Sequence, residues 1–218
     1  MNTNNETSHK VAEYLLQIKA VKLNTKKPFK WSSGLLSPIY CDNRVILSYP
    51  TMRTYIRQQF VDTVNENFGK ADVIAGVATG GIAHGVLVAQ ELGLPFIYVR
   101  PEPKGHGLSN AIEGYVEKGQ SVIVIEDLIS TGGSSLKAIQ HLKDFGCIIK
   151  GMISIFTYNM KSAAEAFKKN KLNVLSLSNF DDLIKIALEK EYISKEDYTQ
   201  LKEWQKDPEN WANQFNGK

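Results

Sequence analysis

The chain has 218 residues, 43% of them hydrophobic and 22% charged, an ordinary balance for a globular protein that buries a core of its own. The 26 basic and 23 acidic residues are interspersed, and the net charge of +3 is too small to indicate a nucleic-acid-binding protein. Cys41 and Cys147 lie too far apart to indicate a disulfide framework or a zinc site. The N-terminus is polar and no stretch approaches the roughly 18 apolar residues that span a bilayer, so we expect a cytoplasmic protein with neither a membrane nor a nucleic-acid partner.

The first third of the chain predicts two helices with short extended segments between them. Apolar residues recur at helical spacing over 8–21 and again after Pro50, where Gly69 is expected to end the helix. Between these helices, prolines and a glycine interrupt aromatic and β-branched residues over 27–44, which is typical of short strands joined by a turn. We expect the first 65 or so residues to form a cap over the sheet edge that carries the ligand.

From residue 72 onward, apolar runs alternate with amphipathic segments. The runs 72–78, 94–100, 148–157 and 173–178 predict strands, and residues up to Glu91, 136–145 and 162–169 predict helices. This alternation predicts an α/β fold with a central, mainly parallel sheet flanked by helices. The stretch around Lys118 predicts a hairpin or two adjacent strands, and Ser194 with Asp197 predicts a capping box for a C-terminal helix.

The segments are expected to form one domain over residues 1–218, because no linker or internal repeat divides them. Within it, 1–70 is mostly the N-terminal cap and its helices, 71–178 is the α/β core, and 179–218 consists of C-terminal helices.

The stretch VIVIEDLISTGGSS, residues 122–135, carries the clearest chemistry. Four β-formers lead to Glu126 and Asp127, where we expect the strand to end, so both carboxylates lie at the edge where α/β sheets bind ligands. Residues 130–134 then supply hydroxyls, backbone N–H groups and a helix N-terminus, all suited to an anion. Such a stretch favours a ligand with hydroxyls and a phosphate, and a sugar phosphate is the simplest one. The lysine of the nucleotide-binding phosphate loop is absent, and no GxGxxG motif follows the first strand.

Two further stretches contain candidate binding residues. Thr79, Gly80 and Gly81 follow a predicted strand, and their backbone N–H groups could approach a pyrophosphate, although a plain strand-to-helix turn would look the same. Lys104 and His106 lie on a loop bordered by glycine and proline, where surface residues are common. Together with Arg100 they would form a cationic arm able to close over phosphates.

These motifs resemble a known family. VIVIEDLISTGGSS is similar to the signature with which type I phosphoribosyltransferases bind phosphoribosyl pyrophosphate, and the expected fold is therefore the one of that family. FKWSSGLLSPIYCDNR resembles the N-terminal hood of the orotate phosphoribosyltransferases, and RPEPKGHG resembles their catalytic loop. The resemblance extends to about residue 157.

The resemblance implies transfer of ribose 5-phosphate from phosphoribosyl pyrophosphate to N1 of orotate, which yields orotidine 5′-phosphate and pyrophosphate in pyrimidine biosynthesis. It also implies a Mg²⁺ cofactor held mainly by phosphoribosyl pyrophosphate and water, without a committed protein ligand and with Asp127 as the candidate for one, and a homodimer whose catalytic loops serve the neighbouring subunit.

The roles of individual residues follow from the same resemblance. The catalytic residues would be Lys104, His106, Glu126 and Asp127. Phosphoribosyl pyrophosphate would contact these four and Arg100, Leu128, Ile129, Ser130, Thr131, Gly132, Gly133 and Ser134. Thr79, Gly80 and Gly81 would form the pyrophosphate turn, and Ser130 and Tyr40 would lie beside orotate.

Some positions depart from the best-known bacterial pattern. Ser32, Gly80 and Pro101 stand where a lysine or another basic residue is expected, and no arginine follows Thr157 to bind the orotate carboxylate. Lys30 or backbone N–H groups of the hood are the candidates for that role.

Two alternatives stay open at this point. One is a phosphoribosyltransferase that acts on a purine or another pyrimidine, which the hood stretch disfavours. The other is a regulator that senses phosphoribosyl pyrophosphate, which would not need the loop that carries Lys104 and His106.

Overall fold

The N-terminal third forms two helices and two small antiparallel ribbons in the computed structural model, which describes residues 4–31, 34–102, 111–213 and 215. In chain order its elements are α1 (Asn5–Gln17), β1 (Val21–Leu23), β2 (Phe29–Lys30), β3 (Leu36–Ser37), β4 (Ile39–Cys41), a 3₁₀ helix (Asn43–Ser48) and α2 (Pro50–Asn67). Strand β1 pairs with β4, and β2 pairs with β3, which confirms the predicted short strands. We call residues 20–48 the hood.

Six further strands form the central sheet, with helices between them. In chain order these elements are β5 (Val73–Val77), α3 (Gly80–Leu92), β6 (Phe96–Val99), β7 (Ile112–Glu113), β8 (Ser121–Ile129), α4 (Gly133–Phe145), β9 (Ile148–Thr157), α5 (Lys161–Lys169), β10 (Val174–Asn179), α6 (Phe180–Glu189), α7 (Lys195–Lys206) and α8 (Pro208–Asn213). Strand β5 is buried throughout, as its apolar sequence predicts for a parallel strand covered on both faces. None of the helices formed by the described residues combines the length and apolar character that crossing a bilayer requires.

The strand order of the sheet is β10-β9-β8-β5-β6-β7, and all neighbours are parallel except β6 and β7. This confirms the predicted mainly parallel sheet. The chain passes from β5 outward to β6, and from β8 in the opposite direction to β9. Because the connections diverge there, the carboxyl ends of β5 and β8 border a crevice, the place where open α/β sheets bind ligands.

Three expectations need correction. The stretch around Lys118 joins two strands, β7 and β8, but they are neither a hairpin nor neighbours in the sheet, because β7 pairs with β6 at the far edge. Strand β8 continues to Ile129, since residues as far as Ile129 pair with β9, so Glu126 and Asp127 lie inside the strand. The first 65 residues do not form a single cap, because α1 packs on α6 and β10 while α2 packs on α3. Among the described residues of this stretch, those that line the cavities at the ligand edge belong to the hood.

Local signals set several helix ends as predicted. Gly69 follows α2 with a left-handed φ of 63°, a conformation that glycine adopts without a steric penalty. Ser194 and Asp197 form the predicted capping box, in which each side chain accepts the other's backbone N–H.

Candidate active site

The acid pair lies at the crevice between β5 and β8. The Glu126 side chain is buried, and it accepts hydrogen bonds from Ser135 Oγ at 2.8 Å and from the Asp127 N–H at 3.0 Å. Asp127 lies against the start of α3, so close to Gly80 that a Cβ at Gly80 would overlap its carboxyl group. The glycine turn at 79–81 and the acid pair are therefore in direct contact.

Burial changes the protonation of this pair. Burial raises the pKa of Glu126 well above its ordinary value, and the neighbouring Asp127 carboxylate raises it further. Burial also raises the pKa of Asp127, while hydrogen bonds and the positive charge of Arg44 oppose that rise. Without ligand, Glu126 is the member of the pair that keeps a proton most readily.

A cavity of about 410 Å³ opens beside the acid pair. Six of the predicted site residues line it: Thr79, Gly80, Glu126, Asp127, Leu128 and Ser134. The hood and adjoining turns add Cys41, Asp42, Arg44, Val77, Ala78 and Pro101. The cavity thus combines three carboxyl groups, a glycine turn, two hydroxyls and a cation, a set suited to a ligand with hydroxyls and phosphates.

A second cavity of about 510 Å³ lies between β8 and the hood. It is lined by Lys30, Trp31, Leu35, Tyr40, Cys41, Leu128, Ser130, Thr131 and Tyr158. Because Cys41 and Leu128 line both cavities, the two spaces adjoin. This cavity has aromatic walls, a hydroxyl-bearing turn and one ammonium group, which suit a flat, anionic ring.

The hood is fixed to β8 by hydrogen bonds. Asn43 Nδ2 donates to the backbone carbonyl of Asp127 at 2.6 Å, and Cys41 Sγ donates to Asn43 Oδ1 at 3.2 Å. The Trp31 indole donates to the Ile39 carbonyl at 3.1 Å and packs on the Tyr158 ring, with 5.0 Å between ring centroids. These contacts hold the walls of both cavities relative to the acid pair.

Several predicted residues shape the site without lining either cavity. Ile129 is buried in the core, and Gly81 packs on the Ile125 carbonyl. Gly132 has a φ of 79° and packs so closely on Phe167 that a Cβ would lie 2.6 Å from the ring. Gly133 begins α4 behind this turn.

Of the predicted cationic arm, the structure describes Arg100. Arg100 does not line either cavity; its Nε lies 3.4 Å from Glu113 Oε1, and its guanidinium lies over the Tyr98 ring. Lys104 and His106 lie outside the described residues.

The structure adds residues that the sequence reading left out of the site. Asp42 and Arg44 follow Tyr40 in the stretch YCDNR. Their charges, directly after a predicted hood strand, are the sequence signal that could have placed them in the site. Tyr158 directly follows β9, next to the position searched for an arginine, and its aromatic ring gave no signal of anion binding. The sequence shows Trp31 and Leu35 only as apolar residues near a turn, which does not predict that they line a cavity.

The donor set can be compared with the requirements of Mg²⁺. No cluster of three or more His, Cys, Asp or Glu side chains that could hold a metal occurs among the residues described. The crevice offers the carboxylates of Glu126 and Asp127, and Mg²⁺ commonly binds through one or two carboxylates together with substrate phosphates and water. These residues therefore fit a magnesium ion brought in with a phosphorylated ligand.

Comparisons with known proteins agree with this geometry. Residues 48–188 match the model of the phosphoribosyl transferase domain. The chain is 52% identical over 200 residues to an orotate phosphoribosyltransferase of Phocaeicola vulgatus, an alignment that covers 92% of this chain and 94% of the relative. It is 49% identical over 202 residues to the enzyme of that name from Listeria innocua, covering 93% and 97% of the two chains.

A comparison with solved structures points to the same family. The crystal structure of orotate phosphoribosyltransferase from Aeropyrum pernix superposes with a TM-score of 0.73 at 27% identity, covering 84% of this chain and 99% of that one. The type I phosphoribosyltransferase fold expected from the sequence is thereby confirmed. With a domain model that matches most of the chain and relatives near 50% identity over almost its full length, this chain belongs to the orotate phosphoribosyltransferase family.

Proposed function

We propose that this chain transfers ribose 5-phosphate from phosphoribosyl pyrophosphate to N1 of orotate, forming orotidine 5′-phosphate and pyrophosphate in pyrimidine biosynthesis. The observation that supports this most is the pair of adjoining cavities at the end of β8. One combines acids with a glycine turn, the other has aromatic walls, and Cys41 and Leu128 line both. A reaction that joins a sugar phosphate to a flat ring needs two such spaces in contact.

The ribose 5-phosphate occupies the crevice at β8 in this proposal. Glu126 and Asp127 accept hydrogen bonds from the ribose hydroxyls, and their negative charge stabilises the positive charge that develops on the ring as the bond to pyrophosphate breaks. The turn 130–134 and the N-terminus of α4 bind the 5′-phosphate through hydroxyls and backbone N–H groups.

Orotate occupies the cavity under the hood. Ser130 and Tyr40 lie on its wall as the sequence reading proposes for the base, and Tyr158 and Trp31 add aromatic surface. Lys30 is the basic side chain among the described lining residues, so it is our candidate for the orotate carboxylate.

The pyrophosphate lies toward Thr79, Gly80 and Gly81, with Arg100, Lys104 and His106 as its proposed cationic contacts. Magnesium, when bound, neutralises charge on the departing pyrophosphate. The protein's part is to place the cationic contacts beside that negative charge, to keep Asp127 beside the ribose where positive charge develops, and to exclude water as the arm closes. The single domain over 1–218, the homodimer, the absence of nucleic-acid and membrane partners and the cytoplasmic setting remain predictions of the same proposal.

A panel of bases tests the proposal. Purified enzyme with Mg²⁺ and phosphoribosyl pyrophosphate is offered orotate, uracil, hypoxanthine, xanthine or adenine in separate reactions, and release of pyrophosphate is measured. Release with orotate alone is expected. Consumption of a different base, or binding of phosphoribosyl pyrophosphate without turnover of any base, would replace the proposal with one of the two alternatives above.

A further inference from the structure

Arg44 lines the ligand crevice, and the proposed reaction described above gives its side chain no role. It belongs to the hood, where it lies in the first turn of the 3₁₀ helix, and its side chain is 59% exposed. It lines the 410 Å³ cavity together with Thr79, Gly80 and Asp127. Among the described residues that line this cavity, Arg44 is the one lysine or arginine.

The Asp42 carboxylate orients the Arg44 guanidinium. Its Nε donates to Asp42 Oδ1 at 2.7 Å, and its Nη2 donates to Asp42 Oδ2 at 2.8 Å. An exposed pair of this kind adds only about 0–1 kcal/mol to stability, so its main effect is to orient the guanidinium at the rim of the cavity. Asp42 uses one edge of the fork, and the remaining N–H groups stay available for a ligand.

The glycine turn across the cavity has no room for a cation of its own. A Cβ at Gly80 would overlap the Asp127 carboxyl group, and a Cβ at Gly81 would overlap the Ile125 carbonyl oxygen. The turn can therefore offer backbone N–H groups but no side-chain charge at these positions. An anion bound there also faces the Asp127 carboxylate beside the turn, so a cation from another element is needed to offset the repulsion.

Arg44 meets this requirement electrostatically. Its positive charge lowers the pKa of Asp127, against the rise caused by burial, so its field reaches the acid that borders the turn. A guanidinium also matches the paired oxygens of a phosphate better than an ammonium group does.

We propose that Arg44 binds the pyrophosphate group of phosphoribosyl pyrophosphate, with Asp42 as its positioning residue, so that the hood supplies the cation that the glycine turn cannot carry. This inference rests on the proposed function for the identity of the ligand. With this role for Arg44, the hood contributes to both cavities. Its strand β4 lines the 510 Å³ cavity proposed for the base, and Arg44 lines the 410 Å³ cavity beside the acid pair.

Binding to Arg44→Gln tests this inference. Titration calorimetry with inorganic pyrophosphate plus Mg²⁺, and with phosphoribosyl pyrophosphate plus Mg²⁺, is expected to give affinities weaker than wild type by about tenfold to a hundredfold, the usual effect of losing hydrogen bonds from a charged group. Orotidine 5′-phosphate has no pyrophosphate, so its affinity should stay within about twofold of wild type. Asp42→Asn, which keeps the arginine but frees it, should show a smaller loss for the same two ligands.

The control is Lys161→Gln, which removes a 91% exposed cation that has an acidic partner on α5 and lines neither cavity. It should bind all three ligands as wild type does. Unchanged pyrophosphate binding by Arg44→Gln, an equal loss for orotidine 5′-phosphate, or a wild-type chain that does not bind pyrophosphate would each overturn the inference. If Arg44→Gln binds only the two pyrophosphate-containing ligands more weakly, and the wild-type enzyme consumes a base other than orotate, the role of Arg44 is upheld and orotate is refuted as the substrate.

Discussion

Asp127 and Gly80 are the two residues whose packing joins the acid motif to the pyrophosphate turn. The Asp127 carboxyl group fills the space where a side chain at position 80 would begin. Any substitution of Gly80 must therefore move the carboxylate, the turn, or both.

We predict that Gly80→Ala lowers kcat/KM for orotate by about a hundredfold or more, because displacement of one oxyanion-binding or charge-stabilising group has an effect of this size. Thermal unfolding should change little, since both groups lie at the solvent-accessible rim of the sheet. Steady-state kinetics and a melting curve check the two expectations.

Gly93→Ala provides the opposite control. Gly93 ends α3 with a φ of 66°, and nothing lies within 4 Å of a Cβ placed there. It should lose about 1 kcal/mol of stability through backbone strain while kcat/KM stays near wild type. If Gly80→Ala instead behaves like Gly93→Ala, the contact with Asp127 has no part in catalysis.

Glu126 makes stability depend on pH. Burial raises its pKa in the folded state above the ordinary value of 4.5, so the folded chain holds a proton that the unfolded chain releases. The stabilisation that this proton provides is complete below the unfolded pKa and is lost as pH rises through the folded one. The wild-type protein should therefore lose stability over that interval.

We predict that Glu126→Gln unfolds at a higher urea concentration than wild type near pH 8, and that this difference shrinks toward pH 4, because the amide is neutral at every pH. Its oxygen can still accept the Ser135 hydroxyl. Turnover should nevertheless fall, since the charge opposite the ribose is gone. Urea midpoints measured across this range decide the matter; a constant difference would mean that Glu126 is not the proton-holding acid.

The C-terminal helices brace the hood. Trp204 of α7 is fully buried and packs on Trp31 of the hood, with 5.7 Å between centroids, and on Tyr158, at 5.9 Å. Thr25 Oγ1 donates to Asp197 Oδ1 at 2.5 Å, a second tie between the hood and α7. Since Trp31 and Tyr158 line the cavity that we propose for orotate, α7 supports this cavity on the side away from the ligand space.

We predict that Trp204→Phe raises KM for orotate several-fold and leaves KM for phosphoribosyl pyrophosphate near wild type, because the smaller ring lets Trp31 shift. The loss of buried volume should also cost about 1–3 kcal/mol of stability. Phe60→Leu, at a fully buried position of α2 outside both cavities, is the matched core control. An equal rise of both KM values in Trp204→Phe, or a rise for orotate in Phe60→Leu, would contradict a specific bracing role.

At the scale of the whole molecule, we propose a homodimer in which each catalytic loop serves the active site of the neighbouring subunit. We predict that Lys104→Ala and Asp127→Asn are each nearly inactive, and that mixing them under conditions of subunit exchange restores about a quarter of wild-type activity. About half of the re-formed dimers are mixed, and each has one site with an intact loop and an intact acid. Activity that stays at the level of the separate variants would show that each loop serves its own subunit.

Much of this architecture could be predicted from local patterns, and the exceptions share one cause. The alternation of strands and helices, the glycine helix ends and the capping box depend on residues near in sequence, and the structure confirms them. The partner of β7, the end of β8 and the place of Arg44 depend on contacts between segments far apart in sequence. Sequence periodicity carries no information about such contacts. It also could not reveal that Gly80 is a glycine because Asp127 fills its space.

The most direct test of orotate as the substrate is the absorbance of orotate itself. Purified wild-type enzyme, given orotate, Mg²⁺ and phosphoribosyl pyrophosphate, should cause orotate absorbance to fall while orotidine 5′-phosphate and pyrophosphate form in equal amounts, and Asp127→Asn should slow this fall strongly. If orotate absorbance stays constant with wild-type enzyme that binds phosphoribosyl pyrophosphate, the chain does not catalyse this transfer.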